Sequence, residues 1–275
     1  MLTSFPRTTK ELFKYLVFSG SAVLGQWIGE KSVPILTYHS LDESGSTISV
    51  IPSAFREQMH YLKSHGFETI TLLDFIERLK TGKLFPEKSF ILTFDDGFRN
   101  LYEIAFPILG EFDFTATIFI ATKYTGQAPL WELGERDRKA GIHHLPLLSW
   151  EEIEEMHRHG FTFGSHGARH IHLTQVDRGI VCEDIERSKW TIEDKLGSAC
   201  RLFCYPYGEC SASVREIVKD RGFQGAVTTE FGRNKRSADP YALRRIGSAH
   251  FTNPGVFKAC IYGTYGWHLR PKGKS

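Results

Sequence analysis

The sequence predicts an α/β protein that is built on a parallel β-sheet. Two observations lead to this prediction. Short apolar runs alternate along the chain with amphipathic helical stretches, which is typical of β/α units. The residues best suited to catalysis follow the apolar runs directly, as they do where active sites lie at the carboxyl ends of parallel strands. The chain has 275 residues and is long enough to bury one large core, so we expect a single catalytic domain.

Six apolar runs are predicted as strands, and six intervening stretches as helices. The predicted strands are residues 34–38, 90–94, 116–121, 161–165, 202–205 and 225–229. The predicted helices are residues 53–62, 72–79, 101–109, 150–157, 182–196 and 212–220. In the first helix we interpret Ser53 as the N-cap, and Phe55, Met59 and Leu62 fall on one face before Gly66 ends the helix.

Asp95 and Asp96 follow the second predicted strand, in the segment Ile91-Leu-Thr-Phe-Asp-Asp-Gly97. Neighbouring side chains in a strand point to opposite faces, but a backbone turn at the strand end would let both carboxylates reach one site. One carboxylate could then bind a metal ion while the other takes a proton. The alternative is a solvated turn in which Asp and Gly serve only the backbone.

His166 and His170 stand four positions apart. On one helical turn such residues share a face, so both imidazoles would meet a single cation. Two histidines and one carboxylate form a ligand set that leaves coordination positions open for water and substrate. Two histidines at this spacing are more often ordinary surface or core residues, but together with the two aspartates they predict a catalytic metal site.

Four motifs occur in order along the chain: Val33-Pro-Ile-Leu-Thr-Tyr-His39-Ser, Thr93-Phe-Asp-Asp-Gly97, His166 to His170, and Phe203-Cys-Tyr-Pro-Tyr-Gly208. Together they resemble the motifs of the polysaccharide deacetylases of the NodB-homology group, in the subgroup that opens with a Leu-x-Tyr-His strand. The resemblance extends from about residue 33 to about residue 250. It implies a distorted (β/α) barrel of about seven strands, similar to a TIM barrel.

The resemblance also implies a function: the metal-dependent removal of acetyl groups from a glycan, foremost N-acetyl groups from amino sugars. Two alternatives stay open. One is a deformylase or another small-amide hydrolase on the same barrel, and the other is a glycan-binding protein that has lost catalysis. The implied cofactor is a divalent metal ion, with zinc first and Co, Mn, Ni or Fe as alternatives.

The resemblance assigns the metal ligands and the general base. Asp96, His166 and His170 would bind the metal ion, and Asp95 would accept the proton of the attacking water. Replacement of Asp95 should therefore remove turnover and leave the affinity for metal largely intact.

The remaining roles concern the acid, the oxyanion and the groove. His39 is the implied general acid, and His250 is the competing candidate. For each of them the alternative is that the histidine has no catalytic role and is only hydrogen-bonded at the edge of a loop. The backbone N–H of Tyr207 is the implied oxyanion donor. The predicted substrate groove comprises Pro206, Tyr207, Arg245 and Trp131.

Two positions depart from the family pattern. Gly167 stands where the family usually has Ser or Thr, whose hydroxyl braces the loop, so that support is expected to be missing. Cys204 stands where an Arg often orients the catalytic Asp. Arg245 could supply a guanidinium from another side, and an ordinary exposed arginine is the alternative.

Residues 126–147 show little helical or strand periodicity and include Trp131. Segments of this length without regular structure are usually functional or mobile, so we expect a lid over the barrel mouth that contacts substrate. Simple surface decoration is the alternative.

The chain ends are predicted to lie outside the barrel. Residues 1–32 form a separate segment in which an amphipathic helix packs on the barrel or on a membrane surface through residues 10–28, with export as the competing interpretation. The deacetylase barrel is expected at residues 33–262 and a basic tail at residues 263–275. A location in the cytoplasm or at the inner membrane follows from this interpretation.

Charge and cysteine content limit the partners and the compartment. The 34 basic and 32 acidic residues give a net charge of +2, which does not favour a nucleic-acid partner. An acetylated glycan is the expected partner. Five cysteines without a Cys-x-x-Cys pair predict buried free thiols in a reducing compartment, and one disulfide among Cys200, Cys204 and Cys210 is the alternative.

Overall fold

The computed structural model of the protein describes residues 32–251 and 253–265. The predictions for residues 1–31 and 266–275, which include the amphipathic helix and most of the basic tail, lie outside the described residues. Within the described ranges, none of the helices combines the length and the apolar character that a membrane crossing requires.

Ten strands and eight α-helices are found in the described part of the chain. The strands are β1 (Ile35–Tyr38), β2 (Ser40–Leu41), β3 (Ser49–Val50), β4 (Glu68–Thr69), β5 (Ser89–Phe94), β6 (Thr117–Ile120), β7 (Thr162–Ser165), β8 (Leu202–Cys204), β9 (Gly225–Phe231) and β10 (Leu243–Gly247). The helices are α1 (Pro52–Ser64), α2 (Leu72–Thr81), α3 (Phe106–Glu111), α4 (Glu135–Lys139), α5 (Trp150–Arg158), α6 (Arg178–Leu196), α7 (Ala212–Asp220) and α8 (Pro254–Tyr262).

Seven parallel strands close into a barrel, which confirms the predicted fold. The ring runs β1, β10, β9, β8, β7, β6 and β5, and β1 pairs with β5 to close it. In this closing pair Leu36 lies opposite Leu92, and on the other side of β1 Leu36 lies opposite Ile246. The short strand β4 pairs with the start of β5, and β2 pairs with β3 in a separate two-stranded sheet.

Alternation along the strands divides the apolar residues between the inside and the outside of the barrel. Leu36 and Leu92 belong to the larger core cluster, which includes residues of the surrounding helices. Ile35 and Ile91 belong to a smaller cluster that takes residues from six of the seven strands of the ring. The smaller cluster also contains Phe75 and other residues of α2, so this helix packs against the interior of the barrel.

The structure confirms the six predicted strands and adds four that were not predicted, namely the short strands β2, β3 and β4 and one further barrel strand. The additional barrel strand is β10 (Leu243–Gly247), and the helix α8 (Pro254–Tyr262) was likewise not predicted. The prediction that Ser53 caps α1 is wrong, because Ile51 is the N-cap residue and makes no side-chain cap. Pro52 occupies the first turn instead, where its missing N–H and fixed φ fit a helix start.

The segment 126–147 is packed and anchored over one side of the barrel. It contains α4 (Glu135–Lys139) and a short 3₁₀ turn at Ile142–His144, and Ile142 and Leu147 share a small apolar cluster with Phe98. Asp137 is buried and accepts hydrogen bonds from the Ser46 hydroxyl and from the backbone and hydroxyl of Thr47. These contacts fasten the segment to the loop between β2 and β3.

All five cysteines are free thiols, and three of them are buried. The alternative of a disulfide among Cys200, Cys204 and Cys210 is therefore contradicted. Cys204 lies at the end of β8, where its thiol faces the inside of the barrel beside Asp95.

Candidate active site

Asp95 and Asp96 sit at the carboxyl end of β5, and a change of backbone conformation separates their directions. Asp95 continues the strand, whereas Asp96 adopts a left-handed conformation with φ 70° and Gly97 follows with φ 76°. A side chain at position 97 would also place its Cβ 2.8 Å from the Ile120 side chain, so this turn requires glycine. Both carboxylates are buried and lie at the same rim of the barrel.

His166 and His170 come from the loop after β7, and the two imidazoles meet at Asp96. The Nε2 atom of His166 lies 3.5 Å from Asp96 Oδ1, and that of His170 lies 3.3 Å from the same oxygen. The expectation that one helical turn brings the histidines together is wrong, because residues 166–170 form an irregular loop. His170 itself has a left-handed φ of 52°, and this turn of the backbone directs the second imidazole toward the first.

The donor atoms of Asp96, His166 and His170 suit a divalent cation. One ligand atom from each residue lies within 4.8 Å of the other two, and all three side chains are buried. The Nδ1 atom of His166 is 2.8 Å from the Cys204 carbonyl oxygen. Since a carbonyl only accepts, Nδ1 carries a hydrogen, and Nε2, which faces Asp96, is the atom that would bind a metal ion after giving up its own proton.

The electrostatics of this cluster favour a positive charge at its centre. Burial opposes the charge of Asp96, yet hydrogen bonds from His166 and His170 hold its pKa well below the usual range. Burial also disfavours a charge on His166, but Cys204 and the two carboxylates outweigh it and raise its pKa. The pKa of His170 is lowered by burial, which keeps its imidazole neutral, as metal ligation requires.

Asp95 is held on its inner side by a buried arginine from β10. Arg245 donates from Nη1 to Asp95 Oδ1 at 2.7 Å and from Nη2 to Oδ2 at 2.6 Å, and it donates from Nε to the Thr228 carbonyl at 2.8 Å. Burial alone would raise the pKa of Asp95, but Arg245 outweighs it and lowers the pKa to about 2. Arg245 is only 1% exposed, so it lies behind the aspartate rather than along an open groove.

A second group of candidate ligands, Asp95, His166 and Cys204, lies deeper in the barrel. Arg245 occupies its edge, because Nη2 lies 3.2 Å from the Cys204 sulfur. Burial raises the pKa of the Cys204 thiol, so the sulfur stays protonated. A guanidinium cation and a neutral thiol make this group unfavourable for a metal ion, and the structure favours the Asp96 group.

His39 follows β1 and faces Asp95 from the solvent side. Its Nε2 atom is 3.8 Å from Asp95 Oδ2, and its side chain is 23% exposed. The Nδ1 atom is buried and has no hydrogen-bond partner among the described residues. The side chain of the competing candidate, His250, lies outside the described part of the structure.

Aromatic rings line the approach to the histidines. Trp131 stacks on His170 with ring centroids 4.6 Å apart. Tyr207 follows β8 in a short turn with φ 58°, and its ring meets His170 edge-on at 4.7 Å. The Tyr207 hydroxyl donates to the Glu132 carbonyl at 3.1 Å, and Pro206, in the same turn, is buried. Trp131 and Tyr207 therefore both contact His170, one of the candidate metal ligands, and Pro206 stands in the same turn as Tyr207.

Two residues beside Tyr207, His172 and Glu209, were not predicted from the sequence. His172 stacks on Tyr207 with its ring nearly parallel at 3.8 Å. Its Nδ1 atom lies 2.8 Å from Glu209 Oε1, and the second Glu209 oxygen accepts from Thr174 at 2.6 Å. The position of His172 two residues after His170 was the available signal, but it gave no reason to connect the ring with Tyr207.

Comparisons with known proteins identify the family of this chain. A model of the polysaccharide deacetylase family matches residues 82–226, which is more than half of the chain. YxkH of Bacillus subtilis (strain 168), a protein named as a polysaccharide deacetylase, is 29% identical over 233 residues, covering 85% of this chain and 75% of YxkH. The poly-β-1,6-N-acetyl-D-glucosamine N-deacetylase of Staphylococcus epidermidis is 28% identical over 208 residues, covering 72% of this chain and 67% of that enzyme.

The fold has a close counterpart among solved structures. The structure of IcaB from Ammonifex degensii superposes with a TM-score of 0.71 and covers 86% of this chain and 98% of that one. At 24% identity this likeness establishes the barrel rather than the substrate. The sequence match and the barrel together lead to one conclusion: the chain belongs to the polysaccharide deacetylase family.

Proposed function

We propose that the protein is a metal-dependent N-deacetylase that acts on a polysaccharide of N-acetylated amino sugars. The observation that carries this proposal is the convergence of Asp96, His166 and His170 beside Asp95, which is itself held by Arg245. A ligand set beside a separately held carboxylate is what metal-assisted amide hydrolysis needs. The Staphylococcus epidermidis relative, an N-deacetylase of poly-β-1,6-N-acetyl-D-glucosamine, supports this class of glycan as the substrate.

Asp96, His166 and His170 would hold the metal ion, for which we propose zinc. The chemistry that a bound divalent cation supplies at such a site is polarisation of the acetyl carbonyl and acidification of water. Two imidazoles and one carboxylate leave positions open for both groups. Co, Mn, Ni and Fe accept the same donor atoms, so the choice among them is left to experiment.

Asp95 is proposed as the general base and His39 as the general acid. Asp95 would accept the proton of the water whose oxygen bonds to the acetyl carbon, while Arg245 continues to donate to both carboxylate oxygens. As the C–N bond breaks, His39 would donate a proton to the departing amine. The products are acetate and a free amino sugar. The 3.8 Å between His39 and Asp95 allows the acid and the base to serve one reacting centre.

The groove residues are proposed to place the sugar. Trp131 and Tyr207 present ring faces and edges beside His170, and sugar rings pack their C–H faces on such aromatic groups. The backbone N–H of Tyr207 is proposed to donate to the oxyanion of the tetrahedral intermediate. Arg245, which was predicted for the groove, is assigned instead to the orientation of Asp95, because it is enclosed behind that carboxylate.

Acetate release from a panel of glycans tests the proposal. Purified full-length protein, loaded in turn with zinc, cobalt or manganese, is incubated with oligomers of β-1,6-linked N-acetylglucosamine, an O-acetylated glycan and an N-formylated amino sugar. We expect metal-dependent acetate release that is fastest on the N-acetylated oligomers and is abolished by a chelator. Faster release of formate would support the deformylase alternative, and no release with any metal would reject the enzyme proposal.

A further inference from the structure

A single buried carboxylate holds the loop between the two histidine ligands from outside the barrel. Asp184 lies on α6 and is 1% exposed. Its Oδ2 atom accepts from the backbone N–H of Ala168 at 2.8 Å. Its Oδ1 atom accepts from the backbone N–H of Arg169 at 3.1 Å and from the Arg169 Nε at 2.8 Å. All three hydrogen bonds therefore go to residues that stand between His166 and His170.

Gly167 and Asp184 are complementary in shape. Gly167 has a left-handed φ of +72°, and a Cβ built at this position would lie 2.6 Å from Asp184 Oδ2. Real Cβ atoms do not approach an oxygen so closely, and a side chain would be strained at this φ. The carboxylate thus occupies the space that a side chain at position 167 would need. The support that was expected to be missing at Gly167 is supplied by Asp184.

The rest of this loop is bonded to its surroundings as well. The N–H of Gly167 donates to the Ser165 hydroxyl at 3.1 Å. The carbonyls of Gly167 and Ala168 accept from the backbone N–H groups of Thr122 and Lys123. Because the loop has no helical ladder of its own, its shape depends on these outside partners, and Asp184 provides more of the hydrogen bonds than any other side chain described here.

We propose that Asp184 is a positioning residue for the metal centre. By fixing the backbone from Gly167 to Arg169, it sets the distance and direction between the imidazoles of His166 and His170. This inference rests on the proposed metal-dependent function. It goes beyond the ligand set, because Asp184 touches neither histidine ring nor substrate and acts only through the loop.

Replacement of the Asp184 carboxylate by an amide should weaken the binding of zinc. In Asp184→Asn one of the two acceptor oxygens is replaced by an NH₂ group that faces a donor, so one side of the loop loses its hydrogen bond. Residues that orient metal ligands typically change metal affinity by about 10- to 100-fold. We expect zinc affinity to fall within this range, with kcat largely recovered at saturating zinc.

The experiment compares zinc affinity in four folded proteins by competition with a chromophoric chelator. These are the wild type, Asp184→Asn, Gly167→Ala and the control Asp137→Asn. Asp137 is a second buried carboxylate that accepts three hydrogen bonds from a loop, but its loop carries no metal ligand. Gly167→Ala should weaken zinc binding like Asp184→Asn. In a second comparison, which adds Asp184→Ala, the double variant Gly167→Ala/Asp184→Ala should lose less zinc affinity than the sum of the losses in Gly167→Ala and Asp184→Ala.

The outcomes separate this inference from the proposed function. Weaker zinc binding in Asp184→Asn, rescue of kcat by excess zinc and unchanged affinity in Asp137→Asn support the positioning role. Wild-type affinity in Asp184→Asn, even with a lower melting temperature, reduces Asp184 to a purely structural residue and overturns the inference. If the wild type binds no zinc and releases no acetate, the proposed function itself fails.

Discussion

The two halves of the candidate site are held in different ways. On the strand side, Asp95 is paired with the charged side chain of Arg245 inside the barrel, and this contact changes the pKa of the carboxylate as well as its position. On the loop side, His166 and His170 are carried by a backbone that Asp184 ties to α6. The strand side of the site is therefore tuned by charge and the loop side by shape. Substitutions on the two sides should produce different kinetic defects.

The largest effect on turnover is expected when Asp95, the proposed base, is replaced by asparagine. In Asp95→Asn the side chain keeps its size but no longer accepts a proton, so kcat should fall by about 10²- to 10⁴-fold. Zinc affinity should change little, because Asp95 is not in the Asp96 ligand set. Steady-state kinetics with metal analysis check both expectations. Near-normal turnover in this variant would show that Asp95 is not the base.

Replacement of Arg245 should lower the stability of the protein and shift the pH dependence of its activity. In Arg245→Met the buried Asp95 loses its cation, and breaking a buried ion pair in this way costs about 3–5 kcal/mol of unfolding free energy. Since Arg245 lowers the pKa of Asp95 to about 2 against the effect of burial, its loss lets burial raise that pKa. The base then protonates at higher pH, and the acidic limb of the kcat/KM profile moves upward.

Denaturant titration and a pH–rate profile measure the two effects of Arg245→Met separately. Arg245→Lys keeps a positive charge but loses the bidentate hydrogen bonds to Asp95. The acidic limb of its kcat/KM profile should therefore move less than that of Arg245→Met. An acidic limb that stays in place in both variants would contradict the charge-tuning half of the comparison.

Replacement of His39, the proposed general acid, should slow the cleavage of amides more than that of activated esters. His39→Ala should slow amide cleavage by about 100-fold, because an amine is a poor leaving group without a proton. An activated acetyl ester needs less help and should lose much less. Parallel assays of N-acetyl and activated ester substrates test this difference. The same loss on both substrates would assign His39 to position or stability rather than to proton transfer.

A smaller effect is expected in the groove. Trp131 stacks on His170, one of the candidate metal ligands, and an aromatic contact of this kind is worth about 0.5–1.5 kcal/mol. Trp131→Ala should therefore raise KM by about two- to tenfold with little change in kcat, whereas Trp131→Phe should stay near the wild type. A loss confined to kcat would show that the ring supports His170 instead of the substrate.

Much of the barrel could be predicted because most of its strands are short apolar runs that helical stretches separate along the chain. The exception, β10, carries two arginines in Leu243-Arg-Arg-Ile246, a pattern that does not read as a buried strand. Arg245 is buried there only because Asp95, 150 positions earlier in the chain, neutralises it inside the barrel. No local pattern reveals such a pair, although the sequence did suggest Arg245 as a substitute for the residue replaced by Cys204.

The candidate ligands that the structure brings together could be selected from the sequence, but the way they are held could not. The spacing of His166 and His170 indicated one cation, although an irregular loop rather than a helix carries them. Asp184 sits within a long helical stretch, where an acidic residue usually faces solvent. Its role becomes visible only when the fold packs α6 against Gly167.

Zinc binding by the wild type and by Asp96→Ala shows whether Asp96 and the two histidines hold a cation. Equilibrium competition with a chelator, on proteins whose folding is verified by circular dichroism, gives the stoichiometry and affinity of each. We expect one zinc ion per wild-type chain and, because Asp96 is a proposed ligand, binding weaker by about 100-fold or more in the variant. Equal affinity in the two proteins, or a wild type that binds no divalent cation, would contradict it.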